Sequence, residues 1–373
     1  MKMPTKYTVA IHGTGKRGKV HAETFRKDGR FEAVAICGRD RERLDAAALL
    51  AGDPEKYQDP AEMLRETKPD VFCFCTPPSV RLPLIRLGVE HGVKLIAYEK
   101  PMATSFNEAA EITDICRQAG VKTVVSHQIK YGSHFQKVKE IIASGAPGRV
   151  HTVYGTTLGW LLQMGSHVVD YCRYFNGEAD AEWVFGQVSG GEKLTDSHPS
   201  PDFALGEIQF RNGVRGLVEI GNLAQDVPEV EYFWHKVRIG AQGTEGFAEA
   251  LIGGGWRAVT QDSGGPISGP GCWNAQLDQP PYIRDIALWL DDESRIHPCN
   301  GESAFKGFEI LMAIGRSALE RRRVSLPLER GDNTLRRMIH CLQIDIQPIR
   351  AVARRRPPQH APLDSTRKTD RAL

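Results

Sequence analysis

What constrains this chain most is a regular alternation, over residues 1–128, of short apolar runs with longer segments of helical spacing. "YTVAI", "EAVAIC", "PDVFCFCTPPS", "VKLIAYEKP" and "VKTVVSHQ" read as strands. The stretches between them, such as "RDRERLDAAALLA", "VRLPLIRLGVEHG" and "SFNEAAEITDICRQAG", read as amphipathic helices. Strands so separated are joined by crossovers rather than hairpins, which implies a parallel sheet with helices on its faces. Residues 1–128 are therefore expected to form an open α/β domain.

The pattern then changes. Over residues 129–330, "HFQKVKEIIASGAPG" and "LLQMGSHVVDYCRYF" have helical spacing, whereas "FALGEIQF", "VRGLVEIG" and "HKVRIGAQG" alternate between apolar and polar residues. Alternation of that kind indicates a largely antiparallel sheet with one face covered. "YIRDIALWLDD" and "ESAFKGFEILMAIGRSALE" are expected to be the closing helices. Residues 331–373 read as an extension, one helix followed by a disordered basic tail.

With 373 residues, the chain is long enough for two cores. A net charge of +2 supplies no strong field toward nucleic acid or an anionic membrane. The clusters Arg321–Arg323 and Arg354–Arg356 read as solvated. Eight cysteines without a Cys-x-x-Cys spacing argue against a zinc site and for a reducing compartment. No apolar run approaches the roughly 20 residues that span a bilayer. "MKMPTKYTVAIHG" leaves no room for a signal sequence, so a cytoplasmic protein is expected.

Gly13-x-Gly15-x-x-Gly18 follows the first strand and opens the first helix. The first glycine makes a tight turn, the second lets the backbone approach a pyrophosphate, and the third lets helix and strand pack closely. That context predicts dinucleotide binding, with Lys16 and Arg17 belonging to the same loop. At the end of the second strand, Gly38 stands where an acidic residue would bind ribose hydroxyls, and Arg39 follows. Arg39 suits a 2′-phosphate, so NADP is slightly favoured over NAD. Asp40 is the competing feature, since a small loop shift would bring it to the ribose.

Ligands of an open α/β sheet sit beyond the carboxyl ends of its strands. Thr76-Pro77-Pro78 and Glu99-Lys100-Pro101 fall at such ends, so Thr76, Pro77, Glu99 and Lys100 are counted with the cofactor site. An ammonium at position 100 can donate to a substrate hydroxyl and steady a developing alkoxide. Gln163, His167 and Asp170 stand at i, i+4 and i+7 and share one face of a helix. A neutral imidazole at position 167 suits removal of an alcohol proton as hydride leaves the carbon.

Together, "GTGKRG", "CTPP", "EKP", "ASGAPGRV" and "GSHVVDYCRYF", in this order, resemble the glucose–fructose oxidoreductase and inositol 2-dehydrogenase group, Gfo/Idh/MocA. The resemblance spans about residues 6–328. It implies an N-terminal Rossmann domain and a C-terminal α/β domain with a large, open, mostly antiparallel sheet. It further implies a nicotinamide cofactor, a sugar or cyclitol substrate, and a homo-oligomer, dimer or tetramer. Lys100 matches the family's active-site lysine and His167 its catalytic histidine. The chain departs from the family at Gln163, usually aspartate, at Arg81, often histidine, and at "SHQIKY" over residues 126–131. By position, Trp160, Tyr131, Lys130 and His127 are further candidates for the pocket. The expected activity is NAD(P)-dependent oxidation of a secondary alcohol. Its rivals are a redox-neutral lyase or glycosidase with tightly held cofactor, and a non-catalytic nucleotide or sugar sensor.

Overall fold

The computed structural model describes residues 5–331 and 333–342. Strands β1 (Tyr7–His12), β2 (Phe31–Cys37), β3 (Glu55–Tyr57), β4 (Val71–Phe74), β5 (Leu95–Tyr98) and β6 (Lys122–Val125) form one sheet in the order β3-β2-β1-β4-β5-β6. Every pairing in it is parallel. Helices α1 (Lys16–Lys27), α2 (Arg41–Ala51), α3 (Pro60–Thr67), α4 (Arg81–Glu90) and α5 (Phe106–Ala119) make the crossovers. β4 and β5 are buried at every position, as strands covered on both faces must be. β3 and α3 were not legible in the apolar pattern. β3 has three residues, two of them exposed, and is held by pairing with Ala35–Cys37 of β2.

The second part contains α6 (Ser133–Ala143), β7 (Val150–Thr157), α7 (Ser166–Phe175), β8 (Ala181–Ser189), β9 (Phe203–Phe210), β10 (Arg215–Gly221), β11 (Val237–Gly243), β12 (Phe247–Leu251), β13 (Gly255–Val259) and β14 (Ile267–Gly269). It continues through α8 (Ala275–Asp291), α9 (Gly301–Glu320), β15 (Val324–Ser325) and α10 (Thr334–Leu342). The sheet runs β14-β13-β12-β11-β7-β10-β9-β8-β15 and is antiparallel except between β7 and β10. Burial alternates strictly along β9, whose inward residues are covered by helices on one face only. This is the α/β architecture expected, a parallel Rossmann sheet followed by a mostly antiparallel one.

Helix α8 follows the second sheet in the chain but packs on the first. Its Tyr282, Ile283, Ile286 and Ala287 are buried in one cluster with Val9, Ile11, Phe25 and Ala97. It starts at Ala275 rather than at Tyr282, with Pro280 and Pro281 inside. Two prolines remove two backbone donors, yet the cap holds: the Asn274 side chain accepts from the Gln276 amide at 2.9 Å. The basic tail expected after α10 lies outside the described residues. No described helix is long and apolar enough to cross a membrane.

Candidate active site

The strand order reverses between β1 and β4, where an open sheet leaves a crevice beyond its carboxyl edge. A cavity of about 670 Å³ lies there. In the loop before α1, Gly13 turns the chain with φ of 109°, and a Cβ at this position would stand 2.4 Å from the Cys75 carbonyl oxygen. A Cβ on Gly18 would stand 1.8 Å from the Gly13 carbonyl oxygen, so α1 packs directly on the turn. Gly15 differs: a Cβ there meets nothing within 4 Å, and as N-cap it leaves the first amides of α1 without a side-chain partner. Open space beside uncapped amides at a helix N-terminus is what a phosphate requires. Lys16 and Arg17 line the cavity beside it, as do Thr76 and Pro77. The residues present therefore fit a dinucleotide.

Gly38 sits against this loop, since its Cβ would be 2.6 Å from Thr14 Cγ2. Arg39 is exposed beyond β2 and is not among the lining residues, while its carbonyl accepts from Gln58 at 3.0 Å. Asp40 is engaged elsewhere: its carboxylate accepts from the Arg43 amide at 2.9 Å and caps α2.

Glu99 and Lys100 leave the end of β5 in opposite roles. Glu99 accepts from Arg17 Nε at 2.9 Å and lies 3.3 Å from His21 Nε2. Burial opposes its ionisation, but Arg17 and His21 bring its pKa well below the usual carboxylate range. Lys100 Nζ donates to the Gln163 carbonyl at 3.0 Å. Burial pushes the Lys100 ammonium down to about 8; Glu99 works against that, and Arg17 and Arg81 add to it. His167, on the first turn of α7, shares the cavity with Lys100 and Gln163. Its Nδ1 is 2.9 Å from the Tyr171 hydroxyl, which leaves Nε2 for the cavity. Burial, and then the neighbouring Lys100 and His127, hold its pKa well below the ordinary value, so the ring is neutral. Gln163 Oε1 is buried without a partner.

Several candidates are not brought to the cavity. Asp170 is turned away from it, 3.0 Å from Lys130 Nζ and 3.4 Å from His127. It is three residues from His167, about 60° around a helix. Gln163 lies in a π-helical turn, Leu161–Gly165, so the shared α-helical face does not extend through it. Tyr131 donates to Asp285 at 2.7 Å and packs on the first core instead. Trp160 stacks edge-on against Trp234 behind the cavity surface. Arg81 does line the cavity but is 1% exposed, and its guanidinium donates to the carbonyls of Thr76, Lys100 and Pro101. It ties the two strand-end loops together.

Other groups reach the site without having been legible. His21, Cys75 and Glu99 place three possible ligand atoms within 4.8 Å of one another, a set able to hold a metal ion. Arg17 already occupies Glu99 there. Cys73, and then His21 against burial, bring the Cys75 thiol below its ordinary value. Despite burial, Cys75 and Glu99 lift His21 to about 9. From the second part come His198, Tyr232, Trp234, His235 and Trp273. The aromatic density of "EYFWH", residues 231–235, marks Tyr232, Trp234 and His235 in the sequence, and no local pattern marks His198 or Trp273.

Comparison with known proteins agrees with this geometry. Residues 7–127 match the oxidoreductase family with an NAD-binding Rossmann fold. The chain is 25% identical over 236 residues to D-glucoside 3-dehydrogenase of Escherichia coli, covering 55% of this chain and 67% of that one. It is 23% identical over 229 residues to myo-inositol 2-dehydrogenase of Thermotoga maritima, covering 57% and 67%. In fold it is similar to levoglucosan dehydrogenase in complex with NADH and L-sorbose, with a TM-score of 0.74, 17% identity, and coverage of 87% and 100%. Over residues 7–127 the chain thus matches the Gfo/Idh/MocA oxidoreductases, the family with an NAD-binding Rossmann fold.

Proposed function

We propose that the chain transfers a hydride between a nicotinamide dinucleotide and a secondary alcohol or ketone of a sugar, cyclitol or glycoside-like polyol. The observation that carries this is the presence of Lys100, His167 and Gln163 on the wall of the same cavity as the glycine-loop residues Lys16 and Arg17. Bound nicotinamide supplies the hydride acceptor or donor. His167, uncharged because buried, takes the hydroxyl proton on Nε2 as hydride leaves the carbinol carbon. The Lys100 ammonium donates to the same oxygen and steadies its growing negative charge. Gln163 Oε1 accepts from a neighbouring hydroxyl. The glucoside, inositol and levoglucosan dehydrogenases support a polyol substrate.

For the cofactor, exposed Arg39 and the engagement of Asp40 in capping α2 favour NADP. Phe185 and Leu217, exposed on the open face of the large sheet, support a homo-oligomer. The unpaired state of the eight cysteines supports a reducing cytoplasm.

The test is absorbance at the reduced-nicotinamide band when purified protein meets NAD or NADP and a panel of sugars, cyclitols and glycosides. Reduction is expected, and Lys100→Ala and His167→Ala should each lower turnover about 10²–10⁴-fold in folded protein. Near-normal turnover in either variant removes that residue's role. Substrate loss without net reduction removes the net oxidation.

A further inference from the structure

The wall of the cavity supplied by the second part is aromatic. Tyr232, Trp234 and His235 come from the loop between β10 and β11, and Trp273 from the loop before α8. Their rings touch in series: Tyr232 lies 4.7 Å from His235, and His235 lies 6.1 Å from Trp273, both edge-on. Trp234 is backed by Trp160 at 5.5 Å and by Phe233 at 4.9 Å. The wall does not stop at the cavity. Tyr232 is 55% exposed and Phe233 40%, so apolar rings continue outward to the solvent.

Charge narrows the ligand further. Among the described residues lining the cavity, Glu99 is the only carboxylate, and it is committed to Arg17 and His21. Lys16, Arg17, Arg81 and Lys100 all line the same space. With Lys16 and Arg17 turned to the dinucleotide phosphates, a cationic ligand would still meet the Lys100 ammonium and the Arg81 guanidinium and no free carboxylate, whereas a neutral one meets none of that repulsion.

We infer that the aromatic wall is a subsite for an apolar aglycone, so that the chain takes neutral alkyl or aryl glycosides in preference to free sugars and rejects amino sugars. This rests on the polyol reading above. The polar edge formed by Lys100, His167 and Gln163 engages the hydroxyls of the sugar ring. The aglycone leaves along Trp234 toward Tyr232, where a free sugar would leave the outer rings uncovered. Aromatic rings stacked in preferred geometries add attraction beyond their buried area, which corresponds to about tenfold in affinity.

The experiment is calorimetric titration of dinucleotide-loaded protein with phenyl and methyl glucosides of both anomers, glucose and glucosamine, alongside kcat/KM for each. A phenyl glucoside is expected to bind about tenfold tighter than its methyl counterpart, with glucosamine weakest. Trp234→Ala should erase the phenyl preference and Trp234→Phe should keep it, with the dinucleotide Kd unchanged in both. Equal binding of phenyl and methyl glucosides, no binding of either, glucosamine bound as well as glucose, or a preference that survives Trp234→Ala each overturns the subsite. Failure of the hydride-transfer reading is distinguishable: glycosides would bind with the expected ranking while no nicotinamide is reduced.

Discussion

The Lys100 ammonium and the His167 imidazole are held in opposite protonation states by the same low-dielectric cavity. Burial disfavours charge on both, but Lys100 has Glu99 beside it and stays near 8, whereas for His167 the Lys100 cation and the His127 imidazole add to burial and outweigh Glu99. The expected kcat/KM profile follows from these directions. Activity falls above about pH 8 as Lys100 loses its proton, and at low pH only well below 6.5, where His167 becomes charged. Gln163→Asp would place a negative charge beside the imidazolium form and favour it, so the acidic limb should move to higher pH. A raised KM with an unmoved limb would mean that Gln163 reads a substrate hydroxyl instead. Both outcomes are read from kcat/KM against pH for the two forms.

At the scale of the element, two glycines of one loop should fail in different ways. Gly15 has open space beside its Cβ position. Gly15→Val is therefore expected to leave the thermal midpoint unchanged and to weaken dinucleotide binding at least tenfold, because the side chain fills the phosphate's place. Gly13→Ala should instead destabilise the fold by about 1–3 kcal/mol, through a positive φ and a clash with the Cys75 carbonyl. Calorimetry on one and chemical unfolding on the other separate these outcomes. In the β2–α2 loop, Arg39→Ala should weaken NADP more than NAD. An equal effect on both would leave Arg39 without a phosphate role.

Across the whole molecule, the two sheets are joined by buried polar contacts as well as by apolar ones. Lys130, 1% exposed, follows β6 and meets Asp170 of α7 at 3.0 Å and the Pro298 carbonyl at 3.0 Å. Removing one partner of a buried pair strands the other charge, so Lys130→Ala should cost about 3–5 kcal/mol in chemical unfolding; a loss below about 1 kcal/mol would show that Asp170 finds another partner. The strand–helix alternation, the glycine turn and the two sheet types were legible in the sequence because each is written within a few neighbouring residues. Periodicity states which face of an element is buried, and Gly13, Gly15 and Gly18 state where the backbone must turn. Lys100 was legible as well, because a strand end in an open parallel sheet has only one edge to face. The partner of a buried face is not written locally. That α8 closes the first core, that Asp170 and Tyr131 turn inward to Lys130 and Asp285, and that His21 meets Glu99 all depend on contacts between distant residues. The aromatic wall depends on the paths of two loops, and the phase of Gln163 on a single π-helical turn. Local pattern determined the elements, the glycine loop and the lysine's edge of the sheet. Only the tertiary structure decided which side chains share the cavity, since helix phase and chain crossing are set by packing and not by spacing.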